Sequence, residues 1–260
     1  MALANWKWAW GLAAGALSLG LASAAPPEKA VVPAARVEAA RAADPLGAML
    51  SDARASYAKV RDYTCVFTRQ ERLRGVLGAE QVAEMKARVK PASVAIRFAK
   101  PDAAAGMEFR HTALSKSGKM RYRAAGAKGL SGFQSVMPDD SKIMAENRHP
   151  VTAFGVGPTL DLLASIAARE KALGNPLEVF TSDFNFAGKV ATRYEIFAHR
   201  AHVHRYAYRM LVYVDKETKL PMRFEAYDAP PPGSTVGELL ESYSYTGMKL
   251  NVGLGESAFE

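Results

Sequence analysis

The feature that most constrains this chain is an apolar/polar alternation of period two, recurring from Asp62 to Leu250. In DYTCVFTRQERL, Tyr63, Cys65, Phe67 and Leu73 fall on one parity, and Thr64, Thr68, Gln70 and Arg72 on the other. In AEMKARVK, Met85, Ala87 and Val89 alternate with Glu84, Lys86, Arg88 and Lys90. The rhythm returns in Val94, Ile96 and Phe98, in Met107 and Phe109, in Met120 and Tyr122, and in Tyr194 and Ile196. It continues through Tyr206, Tyr208, Met210, Val212 and Val214, then Met222 and Phe224, and ends with Tyr243, Tyr245 and Leu250. Successive side chains of a strand point to opposite faces, so clean alternation means antiparallel sheet with one apolar and one wet face. VDKETKLP (214–221) reads as a short polar hairpin between two such runs. The count is roughly nine to eleven strands, too many for a flat sheet, so the sheet is expected to curl or approach a barrel.

Two segments break the alternation. Asp44-Pro45 has the form of an N-cap followed by proline at the first helical position. Leu46, Met49, Leu50, Ala53, Tyr57 and Val60 then trace one helical stripe, with Asp52, Arg54, Lys59 and Arg61 on the other face. Further on, NRHPVTAFGVGPTLDLLASIAAREKALGN carries Gly155, Gly157 and Pro158. Leu160, Leu163, Ile166 and Ala167 follow at helical spacing, and Gly174-Asn175 closes the segment. A helix over 157–172, entered through glycines and set between two groups of strands, fits a lid over a cavity and equally a permanently packed plug.

The N-terminus is expected to lie outside the fold. Lys7 precedes the apolar run GLAAGALSLGLASA (11–24), shorter than the roughly 20 residues a spanning helix needs. The run ends in Ala22-Ser23-Ala24, with Pro26 and Pro27 beyond, so residues 1–24 read as a signal peptide cleaved after Ala24. The alternative is an uncleaved anchor. With no Cys near that point, lipid attachment there is excluded. Residues 25–43 read as a flexible Ala/Pro-rich linker, and 44–260 as a single domain in the periplasm. At 49% hydrophobic residues the chain can bury a large core. Its formal charge is 34 − 26 = +8, or +7 without Lys7. For an exported protein the expected counterparts are an anionic membrane surface or other envelope polyanions, not nucleic acid, although the even spread of basic residues also fits plain solvation. Cys65 is the only cysteine, so no intramolecular disulfide forms, and its parity with Tyr63 and Phe67 makes it a small buried hydrophobe.

Chemical motifs are sparse. The chain lacks a Gly-x-Ser-x-Gly elbow, a phosphate loop and a His-Glu-x-x-His helix, and Asp139-Asp140 after Pro138 reads as a turn. AHRAHVHRYAYR (198–209) holds His199, His202 and His204. His202 and His204 share parity while His199 does not, and no supporting Cys or acidic ligand stands nearby. The expectation is a strand whose histidines continue the row of Tyr206 and Tyr208, with no metal and no cofactor. Arg69 and Glu71 share the inward parity of Phe67, and Arg148 and His149 precede the second helix. Each pair reads either as a polar rim for a ligand headgroup or as a structural ion pair, the latter favoured by the cost of burying charge.

DYTCVFTRQERLRG, QVAEMKARVKPASVAIRF, RHPVTAFGVG, VDKETKLPMRFEAYD and SYSYTGMKLNVGL together resemble the family called domain of unknown function 1571, over the span from Pro45 to Phe259. That family is related to LolA-type periplasmic lipoprotein carriers. The resemblance implies an α+β, mainly β fold: a strongly curved antiparallel half-barrel whose concave face is covered by the N-terminal helix and the lid or plug helix. It implies no catalytic residues, and it implies partners among lipids or lipoprotein acyl chains, with transient contact to a membrane surface or an envelope protein. The expected function is a non-enzymatic carrier whose cavity is lined by Phe67, Met85, Ile96, Phe98, Tyr122, Leu163, Tyr206, Tyr208, Met210, Val212 and Phe224. A regulatory sensor using the same cavity is the alternative, and a metal-dependent hydrolase at His199, His202 and His204 is a more distant one.

Overall fold

The structure is a computed structural model, and it describes residues 44–260. The expected signal peptide and linker lie outside the described residues. The described residues fall within one compact unit, Ala39–Glu260.

Helix α1 (Pro45–Tyr57) starts where the capping signal places it, with the Asp44 side chain accepting from the Gly47 N–H at 2.8 Å. Its buried residues are Leu46, Met49, Leu50 and Ala53, the stripe read from the spacing. The strands are β1 (Asp62–Leu73), β2 (Val76–Leu77), β3 (Gln81–Arg88), β4 (Ser93–Lys100), β5 (Glu108–Thr112), β6 (Met120–Arg123) and β7 (Gln134–Val136). After α2 (Ser141–Met144) and α3 (Val156–Ala172) come β8 (Glu178–Phe186), β9 (Lys189–Phe197), β10 (Arg209–Asp215), β11 (Pro221–Tyr227) and β12 (Leu239–Leu250).

All pairings are antiparallel, in the order β7-β6-β5-β4-β3-β1-β12-β11-β10-β9-β8, with β2 added to β1. The long strands β1 and β12 thus meet at the centre of the sheet. From them one meander runs out to an edge at β7, and another comes in from an edge at β8. The chain must then travel from one edge of the sheet to the other between residues 137 and 177. It does so across the apolar face, and α3 is the main part of that crossing.

Curvature follows from the dimensions. Eleven strands at about 4.8 Å spacing would span roughly 48 Å if flat, whereas the 17 residues of α3 reach only about 25 Å. Yet one core holds Met120 of β6, Phe109 of β5, Phe67 of β1, Val212 of β10 and Ile196 of β9 together with residues of α1 and α3. The sheet therefore curls around its helices and stays open, since β7 and β8 do not pair. A smaller cluster on the opposite face of β9, β10 and β11 gathers Ala191, Leu211, Tyr213 and Met222, flanked by Phe184, Phe186 and Tyr227.

Two expectations need correction. The sheet has twelve strands, because β2, β7 and β8 were not anticipated. In β8, most residues of EVFTSDFNF are half-buried on an edge, so burial does not impose the alternation that marks central strands. The histidine segment is not a strand: β9 ends at Phe197, β10 begins at Arg209, and 198–208 form a connecting loop. Its middle bonds to the end of α3, through His202 and the His204 carbonyl, while its two ends stay tied to strands, His199 to Glu178 of β8 and the Tyr208 N–H to the Tyr227 carbonyl of β11.

Candidate functional site

The concave face and the helix lying on it make up the candidate site. Of the expected cavity residues, Phe67, Met85, Ile96, Phe98, Leu163, Met210, Val212 and Phe224 are buried in one core, with Tyr122 and Tyr206 packed against it. Tyr208 is not among them; it stands edge-on to Phe197 and His199 at the loop. Side chains fill the space between sheet and helix. Two small cavities of about 50 and 120 Å³ lie among the described residues, against roughly 300–1,000 Å³ for ordinary ligand pockets. The larger lies beside the start of α3, between Tyr57, Tyr63, Val94, His111, Phe154 and Pro158.

The entry to α3 is fastened by neutral, buried groups. A helix leaves its first N–H groups without internal partners. Here the Gly155 N–H donates to the Tyr245 hydroxyl and the Val156 N–H to the Tyr63 hydroxyl, each at 3.0 Å. Burial pushes the Tyr63 phenol well up and that of Tyr245 to about 12, so both hydroxyls stay neutral. The Thr159 hydroxyl donates to the Gly155 carbonyl at 2.8 Å. Gly155 has φ +116°, and a Cβ there would sit 2.7 Å from the Tyr63 hydroxyl oxygen, so only glycine fits.

A buried polar network holds the segment just upstream. Glu71 and Glu241 are directly opposite each other on β1 and β12, a like-charge pairing that is destabilising unless compensated. Compensation comes from several donors. The Tyr243 hydroxyl lies 2.6 Å from Glu71 Oε1 and 3.3 Å from Glu241 Oε2. The Arg148 N–H donates to Glu71 Oε2 at 3.0 Å. His149 Nε2 is 2.8 Å from Glu241 Oε2, and the Tyr206 hydroxyl donates to Glu241 Oε1. Arg148 Nε lies 2.6 Å from Glu241 Oε2 as a charge contact without hydrogen-bond alignment. Burial alone would push the Glu241 carboxyl up, but His149, Tyr206 and Arg148 outweigh it and hold the group below its ordinary range.

Arg69 completes the network. Its Nε donates to Gln81 Oε1 at 2.7 Å and its Nη1 to Asn147 Oδ1 at 2.6 Å, while Glu71 Oε2 stands 3.9 Å away. Its guanidinium carbon lies 4.8 Å from the Phe98 ring centroid. Burial lowers its pKa, opposed by Glu71. The structure thus brings Arg69, Glu71, Arg148 and His149 into one place. Sequence reasoning missed their partners Glu241, Tyr206 (as a polar group), Tyr243 and Asn147. Glu241 was findable, because it shares the inward parity of Tyr243 and Tyr245.

The far end of α3 is held differently. Glu170, 1% exposed, continues the apolar row of Leu163 and Ile166. Its carboxylate oxygens lie 2.9 and 3.1 Å from His202 Nε2, and Asn175 Nδ2 donates to it at 3.3 Å. Arg169 donates to the His204 carbonyl at 2.7 Å, and Arg200 to Asn175 Oδ1 at 3.2 Å. His199 pairs separately with Glu178 at 2.8 Å. The histidines therefore serve different partners, and among the described residues no group of three or more His, Cys, Asp or Glu could hold a metal ion. Cys65 is buried, and burial pushes its thiol up to about 12. No helix among the described residues is long and apolar enough to cross a membrane.

The family model described as "Protein of unknown function (DUF1571)" matches residues 60–260. No curated protein matches the sequence. Among solved structures, the chain is similar to an uncharacterized conserved protein from Thermus thermophilus, at 12% identity and TM-score 0.46, covering 82% of this chain and 91% of that one. It is similar to the lipoprotein LppX of Mycobacterium tuberculosis, at 9% identity and TM-score 0.45, with 81% and 97% covered. It is also similar to a LolA superfamily protein from Nitrosomonas europaea, at 9% identity and TM-score 0.32, with 83% and 97% covered.

Proposed function

This chain belongs to the DUF1571 family, and we propose that it is a non-enzymatic, periplasmic binding protein whose concave face takes up lipid or lipoprotein acyl chains when α3 lifts away. The observation that carries this reading is the unequal fastening of α3 over an apolar sheet face. Its entry is tied by neutral buried bonds at a glycine, and its exit by one buried carboxylate and a histidine loop. A helix held this way can swing from its C-terminal end without losing its seat.

The magnitudes permit an exchange. Lifting α3 uncovers Leu160, Leu163 and Ile166, each worth roughly 1.5–3 kcal/mol of burial. An acyl chain gains about 0.8 kcal/mol per buried methylene, so a dozen methylenes offset that loss. Cargo replaces helix on the same face, where the closed form leaves cavities of about 50 and 120 Å³. Arg148 and His149, both partly exposed beside Glu241, would be the groups that meet a headgroup at the rim.

The filled concave face supports a second reading, in which α3 is a fixed plug and the protein is a regulatory module acting through protein contacts. Native mass spectrometry of the purified protein, followed by organic extraction, separates the two. Stoichiometric lipid, displaced by a fluorescent fatty acid, is the outcome expected of a carrier. A lipid-free protein that refuses the fatty acid at every concentration would leave the plug.

A further inference from the structure

The positive charge is not evenly distributed in the folded protein. From Arg110 to Lys128 the chain has six Lys or Arg and no Asp or Glu. The fold places this stretch on β5, β6 and their connections, beside the short edge strand β7. Arg110 and Arg121 are directly opposite each other. With Arg123 they surround the Phe133 ring, their guanidinium carbons 4.8, 4.6 and 5.0 Å from its centroid. Glu108 pairs with Arg110 and Arg123, and Arg110 also donates to the main-chain oxygen of Glu260. Lys116, Lys119 and Arg121 point outward and are exposed. At the other edge four cations are matched, Arg209 with Glu195, Arg223 with Glu225, Lys189 with Asp215 and Lys216 with Asp183, while Arg193 lies over the Phe184 ring.

Exposed apolar side chains accompany the cations. Leu114 is 57% exposed in the β5–β6 turn, Leu130 88% in the short helical turn between β6 and β7, and Met137 43% just after β7. The two connections lie at opposite ends of β6. Met137 comes back to the first of them, its methyl 3.9 Å from where a Cβ of Gly118 would be. Leucines and lysines therefore flank β7 at both ends, with arginines between. The nearest acids downstream are Asp139 and Asp140, of which Asp140 caps α2.

We propose that this edge, Leu114–Lys119 together with Gly126–Met137, docks the protein on an anionic phospholipid bilayer, with Leu114 and Leu130 entering the acyl boundary and the lysines meeting the phosphates. Cations and apolar side chains in one surface match the interfacial layer, where phosphate and hydrocarbon lie a few ångströms apart. An acidic soluble partner would use the lysines and leave the leucines without a role. A three-residue edge strand is also too short to template an added strand. Docking here is independent of whether the concave face carries an acyl chain.

Flotation of the compact unit Ala39–Glu260, with the full chain in parallel, on phosphatidylcholine vesicles with and without phosphatidylglycerol tests the assignment. Binding is expected only with the anionic lipid and to weaken with salt. Each cation near such a surface changes partitioning about five-fold, so Lys116→Ser with Lys119→Ser should lower it roughly twenty-five-fold. Leu114→Ser with Leu130→Ser should also weaken flotation while leaving heparin binding and the melting temperature unchanged. Vesicle binding that ignores both pairs, or no binding by the compact unit, overturns the proposal. So does sensitivity to the lysines alone, which would assign the patch to a soluble acidic partner.

Discussion

The two ends of α3 rest on different chemistry. At the entry, the hydroxyls of Tyr63 and Tyr245 receive the first N–H groups of the helix in a fully buried setting, and the Glu71–Glu241 network pins residues 147–149 just before it. At the exit, Glu170 reaches His202 on a connecting loop whose Val203 and His204 are exposed. The entry belongs to the sheet's centre, since Tyr63 and Glu71 sit on β1 and Glu241 and Tyr245 on β12. The exit belongs to a loop that makes no ladder. The difference teaches which end can move: opening at the exit breaks the Glu170 and Arg169 contacts and uncovers Leu163 and Ile166, whereas opening at the entry leaves the first helix N–H groups and the Tyr63 and Tyr245 hydroxyls unpaired in the core.

The largest effect that could break this contrast lies at Glu241. Glu241→Ala leaves Arg148, His149 and Tyr206 facing an empty, buried position, and a loss of about 3–5 kcal/mol is expected from urea unfolding. The same residue sets an acid dependence. Its folded pKa lies below the ordinary 4.5, so its contribution is present above that value and is lost as pH falls through the folded value. Stability of the wild type should therefore drop on acidification, and Glu241→Gln should flatten that limb of the curve.

Next in size is Tyr245→Phe, which strands the Gly155 N–H in the core. A loss of about 1–3 kcal/mol is expected, with faster amide exchange at Gly155 and Val156. His202→Gln should act at the opposite end. It removes the His202 Nε2 contact to the Glu170 carboxylate, and it should speed exchange from Ser165 to Ala172 while leaving Val156 to Leu160 protected. Equal acceleration along the whole helix would erase the contrast. The smallest effect belongs to Arg54→Ala: its pair with Asp161 is exposed on both sides, so calorimetry should find a change within about 0.5 kcal/mol.

Much of the sheet was legible because burial on one face writes itself into alternate residues. Tyr63, Phe67, Met85, Ile96, Met210 and Val212 are spaced as the concave face requires. The capped α1 and the glycine-entered α3 were equally readable from Asp44-Pro45 and from Gly155 with Leu160, Leu163 and Ile166. What failed was the meaning of parity away from the centre. His202, Tyr206 and Tyr208 mimic the alternation of β10, yet belong to a loop, since parity does not record whether a neighbouring strand is present. Glu170 escaped notice because a carboxylate on an apolar stripe has its explanation in His202, 32 residues away. Arg69 and Glu71 were visible as inward charges, but their partners arrive from β12 and from the α2–α3 connection, which no local spacing reveals.

The most direct test of α3 as a lid hinged at Gly155 is hydrogen exchange resolved along α3, with and without a long-chain phospholipid. The expected result is a gradient in the free protein, fastest near Ala172 and slowest near Val156. Added lipid should deprotect the C-terminal half of α3 and leave the Tyr63 and Tyr245 contacts intact. Uniform protection from Val156 to Ala172, unchanged by lipid and lost only on global unfolding, would contradict it and make the helix a permanent part of the core.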